Sequence, residues 1–189
     1  FDKDDVEQLG GVKLDFLGLK TLRMAGYAVN SIEKEHGIKL DVNEIMRNPD
    51  DPKVFELIAT GNTQNLFQFN SSGMQGICKR SKPKNFTDCV AITSLYRPAA
   101  LSSGEAWKWC DIKNGLEEAY YGVPEEKDLL GETYGIITYQ EDVMRLVNFF
   151  AGWSMGKGDS LRKKSTDQLE DMREEFLEDS TSNGFPKDK

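Results

Sequence analysis

The chain has 189 residues, 38% of them hydrophobic and 30% charged, and 24 Lys+Arg stand against 32 Asp+Glu for a net charge of −8. That is enough apolar material for a core, which excludes disorder throughout. The acidic balance excludes a simple nucleic-acid-coating protein but leaves room for a local basic groove. No apolar run approaches the length of a membrane span, and no signal-type segment opens the sequence.

The chain begins Phe1-Asp2-Lys3-Asp4-Asp5 and ends Gly184-Phe185-Pro186-Lys187-Asp188-Lys189. Neither end has the character of a natural terminus, so a fragment of a longer protein is expected. Val12-Lys13-Leu14-Asp15-Phe16 alternates apolar and polar residues and predicts a short strand. Leu19, Leu22, Ala25, Val29 and Ile32 recur at three- and four-residue steps, which predicts an amphipathic helix of about five turns, stopped by Gly37. Asp51-Pro52 reads as an N-cap with proline at the first helical position, with Val54, Phe55 and Ile58 on the buried face. Leu66-Phe67-Gln68-Phe69 predicts an extended segment. Ser71 or Ser72 caps a helix through Met74 and Ile77. Thr87 is expected to cap another through Val90, Ala91 and Leu95, which Pro98 must end.

Residues 97–135 carry most of the turn chemistry. Thr138-Tyr139-Gln140-Glu141 predicts a capping box ahead of the stripe Val143, Leu146, Val147 and Phe150. Ser165 to Gln168 is a second box, ahead of Leu169, Met172, Phe176 and Leu177. The fold expected is mainly α, with a short β element at the N-terminus.

Cys78, Cys89 and Cys110 are odd in number and fit no zinc or redox spacing, which points to reduced structural cysteines in a cytoplasmic protein. His36, the only histidine, closes a predicted helix, where a cation suits the dipole. Catalysis by a Ser-His-Asp set and a His-rich metal site are thereby disfavoured. Asn70-Ser71-Ser72 and Asn85-Phe86-Thr87 match the glycosylation pattern, but nothing in the sequence points to secretion.

Four segments could carry chemistry. Asp15, on a strand and three residues before a glycine, is placed to reach a metal, with Lys13 on the same strand face. Its bland alternative is an outward-facing strand residue. Lys157 to Lys164 holds four cations in eight residues and is followed by seven acids between Asp167 and Asp179. Cations and backbone N–H groups in such a segment suit phosphates, and a solvated linker is the alternative. Gly152 to Gly158 resembles a phosphate loop only superficially, since its spacing is one residue short and no Ser/Thr follows the lysine. Tyr96-Arg97-Pro98 through Ser103-Gly104 combines an aromatic, a cation and small hydroxyls in a rigid turn. That composition suits stacking on a base and gripping a phosphate, or a structural corner. Gln140 and Glu141 open a helix, with Glu141 a cap first and a functional acid second.

Together these segments resemble the C-family replicative DNA polymerases of bacteria and phages, the DNA polymerase III alpha subunits. The resemblance runs from about Asp2 to Met172. It rests on the order and spacing of Val12-Lys13-Leu14-Asp15-Phe16-Leu17-Gly18-Leu19-Lys20-Thr21-Leu22, Phe67-Gln68-Phe69 through Ser72-Gly73-Met74, Leu95-Tyr96-Arg97-Pro98, Tyr134-Gly135-Ile136 with Tyr139-Gln140-Glu141-Asp142-Val143-Met144, and Asp159-Ser160-Leu161-Arg162. It implies a palm remnant over residues 1–20, carrying a catalytic-type aspartate strand, and a helical fingers region over 21–189. Asp15 would be the third of three metal-binding aspartates, and Lys13 would lie near the triphosphate or the primer end. Arg162 and Lys163 would stand where the family places paired arginines on the incoming triphosphate. Tyr96, Arg97, Ser103 and Gly104 would lie near the nucleotide or template.

The implied reaction is template-directed nucleotidyl transfer with two Mg²⁺ ions. Its implied partners are primer–template DNA, dNTP and replisome subunits such as a sliding clamp. With one carboxylate of three, the chain alone is expected to be inactive. The sequence departs from the family in lacking the upstream Asp-x-Asp pair and the Gly-Ser phosphate loop. It also has Ala99-Ala100 where Gly-Pro is usual, Lys163 in place of the second arginine, and Lys164-Ser165-Thr166-Asp167 in place of Met-Gly-Lys-Lys. The alternative reading is a non-catalytic replication module that binds nucleic acid or protein. A generic Mg²⁺ phosphohydrolase is disfavoured by the lack of a second ligand cluster.

Overall fold

In a computed structural model, described for residues 2–12 and 14–185, every regular element is helical. The chain divides into two compact units, residues 1–47 and 48–189.

The first unit holds α1 (Lys3–Gln8), α2 (Lys20–His36) and α3 (Val42–Arg47). As the periodicity predicts, α2 runs to His36 and stops at Gly37, which turns left-handed at φ 68° and returns its N–H to Glu33. Its stripe is shallowly covered, with Val29 and Ile32 half-buried and Leu22 exposed.

Among the described residues the expected N-terminal β element does not form, which corrects the mixed fold class. Residues 12 and 14–19 have no regular structure, and Phe16 is 92% exposed. An alternating pattern becomes a strand only when a neighbour takes its N–H and C=O groups. Among the described residues there is no strand to do so.

The second unit holds α4 (Pro52–Ala59), α5 (Ser72–Ser81), α6 (Phe86–Leu95), α7 (Pro98–Ser102), α8 (Glu105–Lys113), α9 (Glu126–Leu130), α10 (Gln140–Ala151), α11 (Met155–Leu161) and α12 (Thr166–Ser182). Asp51 caps α4 by accepting from Lys53 N at 3.0 Å. Phe55 and Ile58 are buried as expected, but Val54 faces outward. Ser71 caps α5, accepting from Met74 N at 3.3 Å.

Three expectations shift. Residues 66–69 are turns rather than extended, with Gln68 left-handed at φ 63°. Their register is held by the fully buried Thr63, whose hydroxyl donates to Phe69 O at 2.5 Å. The cap of α6 is Asn85, accepting from Asp88 N at 2.8 Å, rather than Thr87. The start of α10 is tied by Asp142 rather than Glu141. In the last two cases a short polar side chain one or two residues away had the better reach to the free N–H groups.

The main core packs α4, α5, α6 and α8 around Ile77, Ile92, Leu95 and Trp109. Within it, Asp88 and Lys113 form a buried ion pair at 3.0 Å, and the same carboxylate accepts from Lys84 N at 2.7 Å. A second cluster, Val147, Ala151 and Trp153, is covered by Met172 and Phe176 of α12. Between α10 and α11 the helices come close because residue 158 is glycine. A methyl group there would stand 3.0 Å from both Met144 Cα and Val147 Cγ2.

Candidate functional site

Three local structures, all in the second unit, converge on one cleft. The first is the end of α6. Tyr96 sits at φ −77° and ψ 62°, and Arg97 N donates to Leu95 O at 2.8 Å. This is an inverse γ-turn centred on Tyr96. It breaks the helix before Pro98 and leaves Arg97 extended as the N-cap of α7. Ala99 and Ala100 follow in helical conformation, so the missing family glycine is not needed for this turn.

The second is the start of α10. The Asp142 carboxylate accepts from Thr138 N at 2.9 Å and Tyr139 N at 2.7 Å. These bonds satisfy two N–H groups just before the helix, and Gln140 and Glu141, its first residues, are exposed. The Tyr139 phenol lies above its ordinary pKa, first because it is partly buried and then because Asp142 is near.

The third is the end of α11. Gly152 closes α10 in left-handed conformation, and Ser154 starts α11 by accepting from Lys157 N at 3.2 Å. Gly158 is therefore a helical packing residue, and the first half of the cationic segment is helix rather than solvated linker. Lys157 is committed to structure, since its ammonium lies 3.6 Å from the centroid of the Trp153 ring and 2.7 Å from Glu175. At the end of the helix, Arg162 Nε donates to Asp159 Oδ1 at 2.6 Å and Lys163 Nζ to Asp159 Oδ2 at 3.0 Å. These hydrogen bonds, from Arg162 first and Lys163 second, hold the Asp159 carboxyl below the usual carboxylate range.

The cleft, about 490 Å³, is lined by Ser94 and Arg97, by Thr138 to Glu141, and by Arg162. Two arginines and the start of a helix thus border one cleft, a combination that suits an anion. Arg97 has no carboxylate partner among the described residues. Arg162 is held in place by Asp159. Glu141 is the one acid in the described lining. A polar recess lined by Gln68, Met74, Thr93 and Tyr96 shares Ser94 and Arg97 with the cleft.

Of the residues singled out in the sequence, Arg97 and Arg162 come together here, and Tyr96 lies alongside. Lys163 points off the cleft to Asp159. Ser103 and Gly104 form the corner between α7 and α8 and do not line it. Asp15 belongs to the first unit and is exposed, and Lys13 lies outside the described residues. Among the described residues no group of three His, Cys, Asp or Glu side chains could hold a metal ion. Sequence reasoning passed over Ser94, gave Gln140 no role beyond opening a helix, and ranked Glu141 as a cap first and a functional acid second. The signal for Glu141 was the better-placed Asp142 one residue on, which frees it from the cap. No described helix is long and apolar enough to cross a membrane.

Helices that bring two arginines to one open, anion-suited cleft define the class, an all-helical module with a polar surface site. The model of the bacterial DNA polymerase III alpha subunit finger domain matches residues 21–184. The DNA polymerase III subunit alpha of Aquifex aeolicus is 39% identical over 193 residues, covering 100% of this chain and 16% of the relative. Its namesakes in Xylella fastidiosa and Staphylococcus aureus are 40% and 37% identical, covering 98% and 97% of the chain and 16% and 17% of the relatives. The chain belongs to the DNA polymerase III alpha subunit family, as its finger domain. It spans about one sixth of the length of these curated relatives.

Proposed function

We propose that this chain is the nucleotide-gripping part of a DNA-directed DNA polymerase, with residues 1–20 the end of the palm and 21–189 the fingers. Arg97 and Arg162 bind the triphosphate of the incoming dNTP. Gln140 and the N-terminus of α10 add hydrogen-bond donors and a positive dipole end. In the whole protein Asp15 supplies one carboxylate to a Mg²⁺ site completed by other segments, with Lys13 nearby, and the polymerase holds primer–template DNA. The sliding clamp and other replisome partners engage the parent elsewhere. We retain Tyr96 beside the nucleotide. Ser103 and Gly104 keep only the corner that joins α7 to α8.

The observation that carries this reading is that Arg97 and Arg162, distant in sequence, line one cleft at the start of α10. The test is steady-state incorporation by the full-length polymerase. A charge-assisted hydrogen bond contributes about 1.5–3 kcal/mol, so Arg97→Ala and Arg162→Ala should each weaken kcat/KM for dNTP by roughly one to two orders of magnitude. Unchanged nucleotide dependence in both variants would refute the reading.

A further inference from the structure

We propose that Gly73 and Tyr96 form a steric lock that sets the position of Arg97, making Gly73 a positioning residue for the cleft. The lock's kinetic consequence rests on the nucleotide reading above, but its geometry does not. Gly73 lies in the first turn of α5, two residues after the Ser71 cap. A methyl group built on it would overlap the Tyr96 hydroxyl and stand 3.0 Å from Cζ and 3.2 Å from Cε2. The outer edge of the Tyr96 ring thus occupies the space that any side chain at residue 73 would need. Gly76, in the same helix, has nothing within 4 Å of the same construction. Helix propensity therefore favours alanine at both positions, while sterics forbid it at one.

The ring is held on its core side, so any yielding is toward the recess that Arg97 also lines. Tyr96 packs against the main core, and Met74 and Gln68 line the recess on which it borders. Gln68 is itself held left-handed in the turn that Thr63 closes. Tyr96 is also the centre of the inverse γ-turn from which Arg97 departs. A shift of the Tyr96 backbone to clear a new side chain changes the two dihedrals that launch the next residue. A contact on α5 is thereby passed through one turn to the guanidinium in the cleft.

The experiment uses the arginine Nε–H signals of this chain in ¹⁵N NMR, with the Arg97 signal identified by its loss in Arg97→Ala. Gly73→Ala should move that signal, Gly76→Ala should leave it in place, and adding Tyr96→Phe to Gly73→Ala should bring it back toward the original position by removing the overlapping oxygen. In the full-length polymerase, Gly73→Ala should raise the apparent dNTP KM several-fold and should add little to Arg97→Ala in the double variant, while Gly76→Ala leaves it unchanged. An unmoved Arg97 signal in a folded Gly73→Ala chain overturns the lock. So does a KM that rises for Arg97→Ala but not for Gly73→Ala. A moved signal in Gly73→Ala with no KM change in either Gly73→Ala or Arg97→Ala upholds the lock and removes the nucleotide reading instead.

Discussion

Asp159 and Arg162 are joined by a 2.6 Å bond from the guanidinium Nε to Oδ1, while Lys163 takes the other oxygen at 3.0 Å. One carboxylate therefore orients the cleft's arginine and occupies its neighbour. The two donors stabilise the charged carboxylate, Arg162 most, so its folded pKa lies below the usual value. A depressed folded value means that the unfolded chain takes up the proton first on acidification. The clamp's contribution is complete above the ordinary carboxylate pKa of about 4 and is lost as pH falls through the lower folded value. Carboxyl ¹³C NMR should show Asp159 titrating below the exposed aspartates of the same chain. A midpoint at or above theirs would mean that the clamp is not populated.

Gly158 lets α11 lie against α10, and Arg162 follows directly at the end of α11. Gly158→Ala puts a methyl group 3.0 Å from Met144 Cα and Val147 Cγ2. Backbone cannot yield there as a flexible side-chain end would. Overpacking of this kind costs about 1–3 kcal/mol, which chemical denaturation would read directly. Because the helices splay at the end that carries Arg162, nucleotide affinity should fall in the same variant. A gain in stability would show that the two helices are not held this close.

Much of this arrangement was legible in the sequence, and most of the failures share a cause. Where an element is decided within its own few residues the reading held, except that the caps of α6 and α10 moved to Asn85 and Asp142. The Gly37 stop, the Asp51-Pro52 start, the Ser71 cap and the Ser165–Gln168 box are examples, the last with both reciprocal bonds formed at 3.0 and 3.4 Å. The strand expected at Val12–Phe16 needed a partner, which periodicity cannot supply. The turn at Gln68 depends on Thr63, and the packing of Gly158 against α10 is a long-range contact that its own segment does not announce. The cleft itself joins residues 94–97, 138–141 and 162. Sequence could mark Arg97 and Arg162 separately by resemblance, but not their shared site. Nor could it separate Arg162 from Lys163, since that distinction rests on which side of Asp159 each cation approaches.

The buried pair of Asp88 and Lys113 ties the start of α6 to the end of α8. Lys113→Met removes the cation and leaves a carboxylate in the core, and breaking such a pair costs about 3–5 kcal/mol. Asp88→Asn should be milder, because its amide oxygen can still accept from Lys84 N, now held by the carboxylate at 2.7 Å. Urea midpoints of the two variants should fall in that order. The reverse order would mean that the backbone bond, not the ion pair, anchors α6.

Cys78, Cys89 and Cys110 are all buried and free. Burial pushes the thiols up to about 11 for Cys78 and about 12 for Cys89 and Cys110. Each is therefore a neutral thiol near neutral pH, and the reactive thiolate is scarce. A disulfide-exchange reagent should find no fast-reacting thiol in the folded chain and three after denaturation. Unfolded thiols ionise near pH 8.5 while the folded ones do not, so stability should fall as pH rises above that value. A fast-reacting native thiol would mean that the helices around it open readily.

Arg162 and Lys163 offer the sharpest division between nucleotide binding and DNA tracking. Both are exposed and both touch Asp159, yet only Arg162 lines the cleft. Arg162 keeps a planar fork with donors to spare after Nε is used, which suits phosphate oxygens bidentately. Lys163 presents a point charge on a flexible stem. In the full-length polymerase, Arg162→Ala should raise the dNTP requirement or lower kcat, depending on whether its contacts tighten in the transition state. It should leave primer–template affinity nearly unchanged. Lys163→Ala should leave the nucleotide dependence in place, and if its ammonium meets a DNA phosphate it should reduce the salt slope of duplex binding by roughly one unit. Measuring both quantities on both single variants assigns each cation separately. A reduced salt slope in Arg162→Ala with unchanged dNTP dependence would move the arginine from the triphosphate to the DNA backbone.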